Sequence, residues 1–413
     1  MLFKRKRYLE KLVSHQRNHL IKVVTGLRRS GKSFLLFNLF YNHLKENGVT
    51  GDHIVTVDLE NRRNKMLRDS DALMNYIDER MTDKGMYYIL LDEIQLVEEF
   101  EDVLNSYVKM DNVDVYVTGS NSKFLSRDVM TEFRGRGDEI RIYPLSLSEI
   151  AEAMPDMEWD RLWQNYLNYG GLPLTVLSPS DTDREQYLKL LFRETYLRDI
   201  IERNHVRSDV ALEMLLDIIS SSVGSLTNPS KLSRTFSSLG RTELSEATIK
   251  KYLDYLDDAF LISRADRYDV KGKRYISTPS KYYFADVGLR NARLNFRQVE
   301  ETHIMENVIY NELLMRGYSV DVGVVEYREG DARRQMEIDF VVNKGSQRYY
   351  IQSAYALPTE EKRQQEFRPL RAVGDSFKKI VVVKEDILLR RDDSGIVTMG
   401  LRQFLMEEDS LGK

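Results

Sequence analysis

Short apolar runs separated by amphipathic stretches dominate the first part of the chain. The runs lie around Val23 and at 54–58, 87–91, 113–118 and 139–143, and most are rich in β-branched residues. Such runs are typical of buried strands, and helical spacing between them favours parallel pairing through crossover helices. The pattern therefore predicts an α/β domain with a parallel sheet and helices on both faces.

The first apolar run leads into a glycine-bounded segment, Gly26-x-x-x-x-Gly31-Lys32-Ser33, and helical spacing follows it. This is the P-loop pattern in its required position between a strand and a helix, and a turn that matches by chance is the alternative. The backbone N–H groups of such a loop surround phosphate oxygens. Lys32 is predicted to bind the β- and γ-phosphates, and Ser33 is predicted to bind Mg²⁺. The predicted nucleotide-binding residues are Gly26, Leu27, Arg28, Arg29, Ser30, Gly31, Lys32, Ser33, Phe34 and Asp92.

A pair of acids, Asp92 and Glu93, directly follows the apolar run at 87–91. Ligands of open α/β sheets bind at the carboxyl ends of the strands, so both acids are expected near the P-loop. Asp92 is predicted to bind Mg²⁺ beside Ser33, and Glu93 is predicted to polarise the water that attacks the γ-phosphate. The alternative, an apolar strand that merely ends in two surface acids, is less favoured because a P-loop precedes it.

Two further segments offer candidate groups for the phosphate site. The run at 113–118 is followed by Gly-Ser-Asn, and Asn121, or as a second choice Ser120, is predicted to hydrogen-bond the attacking water or the γ-phosphate. An ordinary turn or helix cap is an equal alternative. Arg134 or Arg136 is a candidate to stabilise the transferring phosphoryl group, in this subunit or a neighbour's, and a surface loop is the alternative. The predicted catalytic residues are Lys32, Glu93, Asn121, Arg134 and Arg136.

The middle of the chain is predicted to be helical, with a break at 170–173 that is either a hinge or a plain turn. Helices are expected at 210–220, from Asn228 and from Ser245, and a hairpin is expected around 271–274. Three short helices followed by a hairpin predict a winged helix.

Basic residues on this winged helix are the candidates for DNA contacts, while acids on its third helix, among them Asp254 and Asp257, favour a structural or protein-facing role instead. Phosphate contacts and groove contacts would both require exposed positive charge. The candidate DNA-facing residues are Thr248, Lys250, Lys251, Arg267, Lys271, Lys273 and Arg274.

The C-terminal part is expected to pair a strand at 336–342 with a second strand at 348–354, so that Asp339 and Gln352 face each other. This arrangement resembles the core of restriction-nuclease-like folds, in which an Asp and a following Glu-x-Lys hold a divalent metal. Gln352 and Ala354 stand where that pattern has Glu and Lys, so we expect catalysis to be lost. The remaining candidate metal ligands, unless they are simply surface acids, are Glu306, Glu337 and Asp339.

The composition limits the number of domains, the possible cysteine chemistry and the cellular location, and it does not change the predicted fold or site. The chain has 413 residues, enough for two or three domains, a formal net charge of -4 and no cysteine. Disulfides and thiolate chemistry are therefore excluded, and the chain as a whole is not a polycation. The basic N-terminal residues lack a following apolar segment, and no run is long enough to span a bilayer. We expect a cytoplasmic protein without a membrane partner.

The chain resembles the bacterial and archaeal AAA-type P-loop ATPases that carry a C-terminal companion domain of uncharacterised function. Beyond the phosphate-site motifs, the resemblance rests on LLDEIQ (90–95), VTGSNS (117–122), FRGR (133–136), YPLSLSEI (143–150), YGGLP (169–173), ETYLRDI (194–200) and YYFADVGLRNA (282–292). It implies an additional-strand ATPase core in which Lys32, Ser33, Asp92 and Glu93 carry nucleotide binding, Mg²⁺ binding and hydrolysis.

These observations predict an Mg²⁺-dependent ATPase that couples its nucleotide state to the C-terminal half. An ATP-gated DNA-binding regulator is the alternative, and an ATP-controlled nuclease is a weaker one. ATP and Mg²⁺ are the expected cofactors; DNA, a protein partner or further copies of the chain are the candidate partners. The expected domains are an ATPase core (1–150), a helical lid or linker (151–207), a winged helix (208–299) and an α/β nuclease-like domain without activity (300–413).

Overall fold

The computed structural model describes residues 3–119, 135–238, 244–330 and 332–413 of the chain. Contacts between residues divide the chain into two compact units. The units comprise Met1–Pro144 with Asp258–Phe260, and Leu145–Asp257 with Leu261–Lys413.

The first unit contains a five-stranded parallel sheet with the strand order β2-β3-β4-β1-β5. Its strands are β1 (Ile21–Gly26), β2 (Ile54–Asp58), β3 (Tyr87–Asp92), β4 (Val113–Thr118) and β5 (Gly137–Ile142). Every residue of β1, β3 and β4 is buried, as expected for central strands of a parallel sheet. The predicted parallel α/β sheet is confirmed, and β4 lies between the P-loop strand β1 and the acidic strand β3.

Helices of the first unit pack against this sheet through apolar side chains. Leu73 and Ile77 of one helix and Leu104 of another are fully buried in a cluster with strand residues such as Ile89. Burial of each such side chain contributes roughly 1.5–3 kcal/mol. The helical segments are Lys6–Ser14, Lys32–Phe34, Leu35–Phe40, Tyr41–Glu46, Ser70–Asp78 and Phe100–Tyr107, and short 3-10 turns lie at Gly51–His53, Arg62–Arg68 and Ile94–Leu96.

The second unit begins with a helical region, as predicted. Ser146 and Ser208 cap the first turns of two of its helices by accepting backbone N–H bonds, which is the usual role of serine at a helix start. A membrane-spanning helix is not found in the described ranges, because none of their helices combines the necessary length with sufficient apolar character. The helical segments up to residue 258 are Leu147–Ala153, Trp159–Tyr169, Pro173–Leu177, Asp181–Leu191, Phe192–Leu197, Arg198–Asn204, Asp209–Ser221, Pro229–Ser238 and Glu246–Asp258.

An eight-stranded sheet follows, with the order β12-β13-β11-β10-β9-β8-β6-β7. Its strands are β6 (Ile262–Asp269), β7 (Arg274–Phe284), β8 (Ser319–Glu329), β9 (Ala332–Lys344), β10 (Gln347–Ala354), β11 (Lys378–Val383), β12 (Arg390–Arg391) and β13 (Val397–Gly400). The helices within this part are Val287–Arg293, Glu301–Met315, Glu360–Arg371 and Leu401–Met406. The C-terminal α/β character is thus confirmed in its coarse form, whereas the nuclease-like identity stays a prediction.

The predicted three helices and hairpin occur in the expected order, and the hairpin is formed by β6 and β7. Strand β6 also pairs in parallel with β8, so the hairpin is continuous with the C-terminal sheet. The sheet therefore runs across the expected boundary at 299/300. The hairpin of a free-standing winged helix would have no such neighbour, and the winged-helix interpretation stays a hypothesis.

The break at 170–173 packs tightly against a buried carboxylate. The Asp286 side chain accepts N–H bonds from Gly171 at 2.8 Å and from Leu289 at 3.1 Å. A Cβ on Gly170, which has φ +70°, would lie 2.2 Å from the Asp286 Oδ1, so a side chain there would collide with the carboxylate. Burial raises the pKa of Asp286 to about 6, against the lowering effect of these N–H bonds. This contact explains the glycine at 170, and a Cβ on Gly171 would instead lie 2.1 Å from the carbonyl oxygen of Leu145.

Candidate functional site

The P-loop backbone turns sharply at its glycines. Gly26 ends β1 with φ +131°, and a Cβ there would lie 2.1 Å from the carbonyl oxygen of Ile142. Gly31 has φ +99° and directly precedes the helix that begins at Lys32. Only glycine adopts the first geometry without a clash, so the close approach of β1 and β5 depends on Gly26.

Lys32 is 4% exposed, and its Nζ donates hydrogen bonds to the carbonyl oxygens of Gly26 at 3.0 Å and Leu27 at 3.1 Å. Burial lowers the pKa of Lys32 to about 8, although the charges of Glu93 and Asp92 act in the opposite direction. The ammonium is thus held by dipoles of the loop itself. An anion in the loop would compensate its charge more fully than these carbonyls do.

Asp92 lies at the end of β3 and is buried, with the Thr118 hydroxyl donating a hydrogen bond to its Oδ1. Burial raises the pKa of Asp92, while hydrogen bonds from Thr118 and Ser33 act to lower it. The Ser33 hydroxyl and the Asp92 carboxylate therefore lie together at the first turn of the P-loop helix. Both offer the hard oxygen ligands that Mg²⁺ prefers, and phosphate and water oxygens usually complete such a site.

Protein ligands alone do not form a metal cage here. In the part of the chain that the structure describes, no group of three or more His, Asp or Glu side chains is arranged to hold a metal ion. This is the usual situation for Mg²⁺ at nucleotide sites, because the ion takes most of its oxygens from phosphates and water.

Glu93 directly follows Asp92 and has a left-handed backbone conformation, φ 53°. Its backbone N–H donates to the Thr118 Oγ1 at 3.0 Å, and its carboxylate accepts a hydrogen bond from the Gln95 amide. Positive φ is uncommon outside glycine and is often found at functional sites. The turn after β3 therefore directs two consecutive acids into different positions around the P-loop.

Thr118 is a site residue that the sequence analysis missed. It is the last residue of β4, and its hydroxyl links the Asp92 carboxylate to the backbone of Glu93. A prediction of the strand order would have identified Thr118, because a strand that lies between β1 and β3 must end beside both the P-loop and the acidic pair. The predicted candidates Asn121, Ser120 and Arg134 lie outside the described residues.

Arg136 lies away from these groups. Its carbonyl oxygen accepts the N–H of Ile21 at 2.8 Å, at the point where β1 and β5 begin. Parallel strands have their carboxyl ends at the opposite edge, so the length of β1 separates Arg136 from the P-loop, roughly 20 Å at about 3.3 Å per residue. The structure does not bring Arg136 to the site of its own subunit, and a role in a neighbour's site stays a prediction.

The other predicted loop residues differ in their exposure. Leu27 and Ser30 are buried, and the Ser30 hydroxyl donates to the Leu27 carbonyl at 2.7 Å. Arg28 is partly buried, and its charge contributes to lowering the pKa of Lys32. Arg29 and Phe34 are exposed. The two buried residues therefore support the loop, and the exposed ones are accessible to ligands or partners.

The predicted acidic candidates of the C-terminal sheet also lie together. Glu306 comes from the helix Glu301–Met315, while Glu337 and Asp339 come from β9, and Gln352 of β10 hydrogen-bonds the Asp339 backbone at 3.4 Å. A buried lysine that the sequence analysis did not single out, Lys281 of β7, bonds to the acids at the centre of this group.

The candidate DNA-facing residues divide between a helix and a hairpin. Lys250 and Lys251 are exposed on the helix Glu246–Asp258, and Thr248 is partly exposed. On the hairpin, the Lys271 ammonium donates to the Glu326 carbonyl at 3.0 Å, and the Arg267 guanidinium donates to the Gln335 side chain at 2.9 Å. The residues of the β6–β7 turn, Lys271, Lys273 and Arg274, are all exposed.

Family models match three successive ranges of the chain. A family model described as "AAA domain" matches residues 18–151. Two models described as "Domain of unknown function", DUF8612 and DUF4143, match residues 160–300 and 301–404. The P-loop and the acidic strand both lie within the first match.

Two relatives match over most of their length. An uncharacterized protein of Haemophilus influenzae is 34% identical over 386 residues, covering 92% of this chain and 93% of the relative. An uncharacterized protein of Methanocaldococcus jannaschii is 25% identical over 403 residues, covering 94% of this chain and 86% of the relative. The shared family therefore extends over the AAA domain and both following regions.

Solved structures also align with this chain. The Aeropyrum pernix ORC2 protein in its ADP form aligns with a TM-score of 0.35 and 10% identity, covering 73% of this chain and 93% of that one. The Aeropyrum pernix ORC1 protein in complex with DNA aligns with a TM-score of 0.29 and 13% identity, covering 71% and 92%. Both scores are too low for the likeness to carry an argument about function.

Proposed function

Because this chain belongs to the family of AAA-domain proteins, we propose that it binds ATP with Mg²⁺ and hydrolyses it. The observation that carries the proposal is the position of Lys32 after β1 and of Asp92 and Glu93 after β3, at the carboxyl edge of the parallel sheet, with Thr118 of β4 hydrogen-bonded to both acids. Ligands of open α/β sheets bind at this edge. The specificity for ATP over other nucleotides rests on the family alone.

Each residue has a separate part in the proposed reaction. Lys32 exchanges its loop carbonyls for phosphate oxygens and offsets their charge. The Mg²⁺ ion, held through Ser33 and Asp92, would supply Lewis-acid stabilisation of the phosphates. Glu93 orients a water molecule whose oxygen bonds to the γ-phosphorus as the bond to the β–γ bridging oxygen breaks, and it accepts the proton that this water loses.

Substitution of Glu93 by Gln tests the proposal. The variant keeps the size of the side chain and one acceptor oxygen but removes its negative charge and basicity, so we expect ATP affinity to stay within about threefold and turnover to fall by about 10²–10⁴-fold. Steady-state phosphate release and nucleotide titration measure the two quantities. Glu98→Gln, at an exposed position nearby, is the matched control and should behave like the wild type. Wild-type turnover in Glu93→Gln would remove this residue from the mechanism.

A second candidate function, an ATP-gated DNA-binding regulator, is favoured by two neighbouring basic hairpins. Strands β6 and β8 run in parallel, so the β6–β7 turn and the β8–β9 turn lie at the same end of the sheet. The bond from Lys271 to the Glu326 carbonyl joins them. Exposed basic residues on the two hairpins are Lys271, Lys273, Arg274, Arg328, Arg333 and Arg334. A row of such charges suits a phosphate backbone.

A DNA titration at several salt concentrations tests this candidate. The double variant Lys271→Ala/Lys273→Ala should weaken binding at all salt concentrations, and each lost phosphate contact should reduce the salt slope by about 1. Lys45→Ala/Lys84→Ala, at exposed positions of the ATPase core, is the control. If the wild type does not shift DNA at low salt, with or without ATP, this candidate is wrong.

We further propose that ATP binding changes either the number of chains in the assembly or the conformation of the C-terminal half. Mass measurement in solution, with and without ATP and with and without DNA, would distinguish a ring-forming motor from a monomeric switch. A mass that increases severalfold with ATP would also give Arg134 or Arg136 a neighbouring site to act on. An unchanged monomer mass would exclude that role for both arginines.

A further inference from the structure

A buried ammonium occupies the centre of the acidic cluster in the C-terminal sheet. The Lys281 Nζ lies 2.8 Å from a carboxylate oxygen of Glu306, 2.8 Å from one of Glu337 and 3.6 Å from one of Asp339. The Lys281 side chain is only 4% exposed, and the side chains of Glu306 and Asp339 are each 11% exposed. Three carboxylates from a helix and a strand therefore converge on one cation that the chain itself supplies.

Other protein donors bind oxygens of the same carboxylates. The Tyr283 hydroxyl donates to the Glu306 Oε1 at 2.6 Å, and the Ser353 N–H donates to the Asp339 Oδ2 at 2.8 Å. The Gln352 amide is also engaged, since its nitrogen donates to Glu366 at 3.2 Å. A divalent ion would have to displace Lys281 and compete with these donors for the oxygens that coordinate it.

We propose that the Lys281 ammonium is the resident cation of this cluster and that it excludes a divalent metal from the only nuclease-like arrangement that the sequence analysis singled out. The inference does not depend on ATP hydrolysis. It accounts for the substitutions at Gln352 and Ala354, because a site that holds its own cation does not need the Glu and Lys of the metal-dependent pattern.

The charge balance of the cluster supports this assignment. The carboxylates of Glu306, Glu337 and Asp339 all lie within 3.6 Å of the buried ammonium and offset the cost of burying its charge. A single ammonium faces three carboxyl groups, so it does not match all of them in formal charge. Among the described residues, these three acids do not form a metal-binding group while Lys281 is in place. Removal of Lys281 would leave them without their cation, and a divalent ion would then restore the charge balance as the side chains close around it.

Manganese binding to the nucleotide-free, full-length protein tests the proposal, with Mn²⁺ alone as the probe and electron paramagnetic resonance of free Mn²⁺ as the readout. The wild type should show no Mn²⁺ site that Asp339→Asn removes. Lys281→Ala and Lys281→Met should each gain a site at least about tenfold tighter than any in the wild type. The gained site should disappear in Lys281→Ala/Asp339→Asn.

Lys384→Ala is the matched control, because the Lys384 ammonium lies 2.8 Å from one carboxylate, that of Glu301, rather than among three. It should gain no Mn²⁺ site. Circular dichroism melting establishes which Lys281 variants are folded. Folded Lys281→Ala and Lys281→Met that both gain no site would overturn the proposal.

The wild-type measurement needs no Lys281 variant. An Mn²⁺ site in the wild type that Asp339→Asn abolishes would refute the proposal even if every Lys281 variant failed to fold. Cleavage of DNA with Mg²⁺ or Mn²⁺ that depends on Asp339 would do the same, and it would instead make Lys281 the ammonium of an active nuclease. The absence of an Asp339-dependent site and of such cleavage supports the proposal.

Discussion

Two buried lysines, Lys32 in the P-loop and Lys281 in the C-terminal sheet, have opposite electrostatic surroundings. They are 4% and 3% exposed, yet the pKa of Lys32 is lowered to about 8, and that of Lys281 is raised. Lys32 donates to carbonyl oxygens, whereas Lys281 lies against carboxylates. Burial penalises both ammonium groups, so the difference comes from their partners.

The comparison distinguishes the cation that we propose binds a ligand, Lys32, from the one that we propose is structural, Lys281. Carbonyl dipoles satisfy the hydrogen bonds of Lys32 but supply no full negative charge, so a phosphate can still improve its surroundings. Carboxylates in direct contact with Lys281 leave little for an external anion to add. A buried lysine that bonds to carbonyl oxygens can therefore still bind an anionic ligand, whereas one that contacts carboxylates already has its own charge balanced by them.

The largest expected effect is that of Lys32→Ala on nucleotide binding. Loss of the ammonium removes the main positive charge available to the β- and γ-phosphates, so we expect ATP affinity to fall by about a hundredfold or more. Calorimetric titration with Mg·ATP measures the change, and Lys45→Ala, at an exposed position, should retain wild-type affinity. Retained affinity in Lys32→Ala would break the comparison, since Lys32 would then be a structural cation like Lys281.

A smaller effect is expected from Thr118→Val, which keeps the shape of the side chain but removes its hydroxyl. Asp92 then loses a hydrogen-bond donor and the Glu93 N–H loses its acceptor. We expect kcat to fall about tenfold, with ATP affinity within about threefold, because the hydroxyl positions the acids rather than binding phosphate. Thr56→Val, at an exposed position of β2, is the control. An equal loss of affinity and kcat would assign Thr118 to ligand binding.

The smallest expected effect is proton uptake when ATP binds. A pKa of about 8 leaves Lys32 about half protonated at pH 8, and a bound triphosphate raises that pKa, so about 0.5 proton should be taken up. At pH 6.5 Lys32 already carries its proton and should take up almost none. Titration calorimetry in buffers of different ionisation enthalpy measures this number. No uptake at pH 8 would mean that Lys32 is fully charged before ATP binds.

The sequence patterns located the strands of the first unit but not which strands are neighbours in the sheet. The strands predicted around Val23 and at 54–58 and 113–118 occur at the expected positions, because continuous apolar runs have few alternatives to a buried strand. The P-loop and the acids at 92–93 were found because their spacing is local. Thr118 was missed because its importance depends on which strands are neighbours, and that is a property of the sheet order.

The sequence by itself determined where the strands of the first unit and several helices form, that a P-loop follows β1, and that Gln352 and Ala354 stand where the nuclease-like pattern has Glu and Lys. The tertiary structure decided that Thr118 joins Asp92 to Glu93 and that Lys281 reaches the acids of the C-terminal sheet from another strand. The physical reason is that backbone preferences and apolar periodicity act over a few residues, whereas the charge on a buried group depends on whatever side chains the fold places beside it.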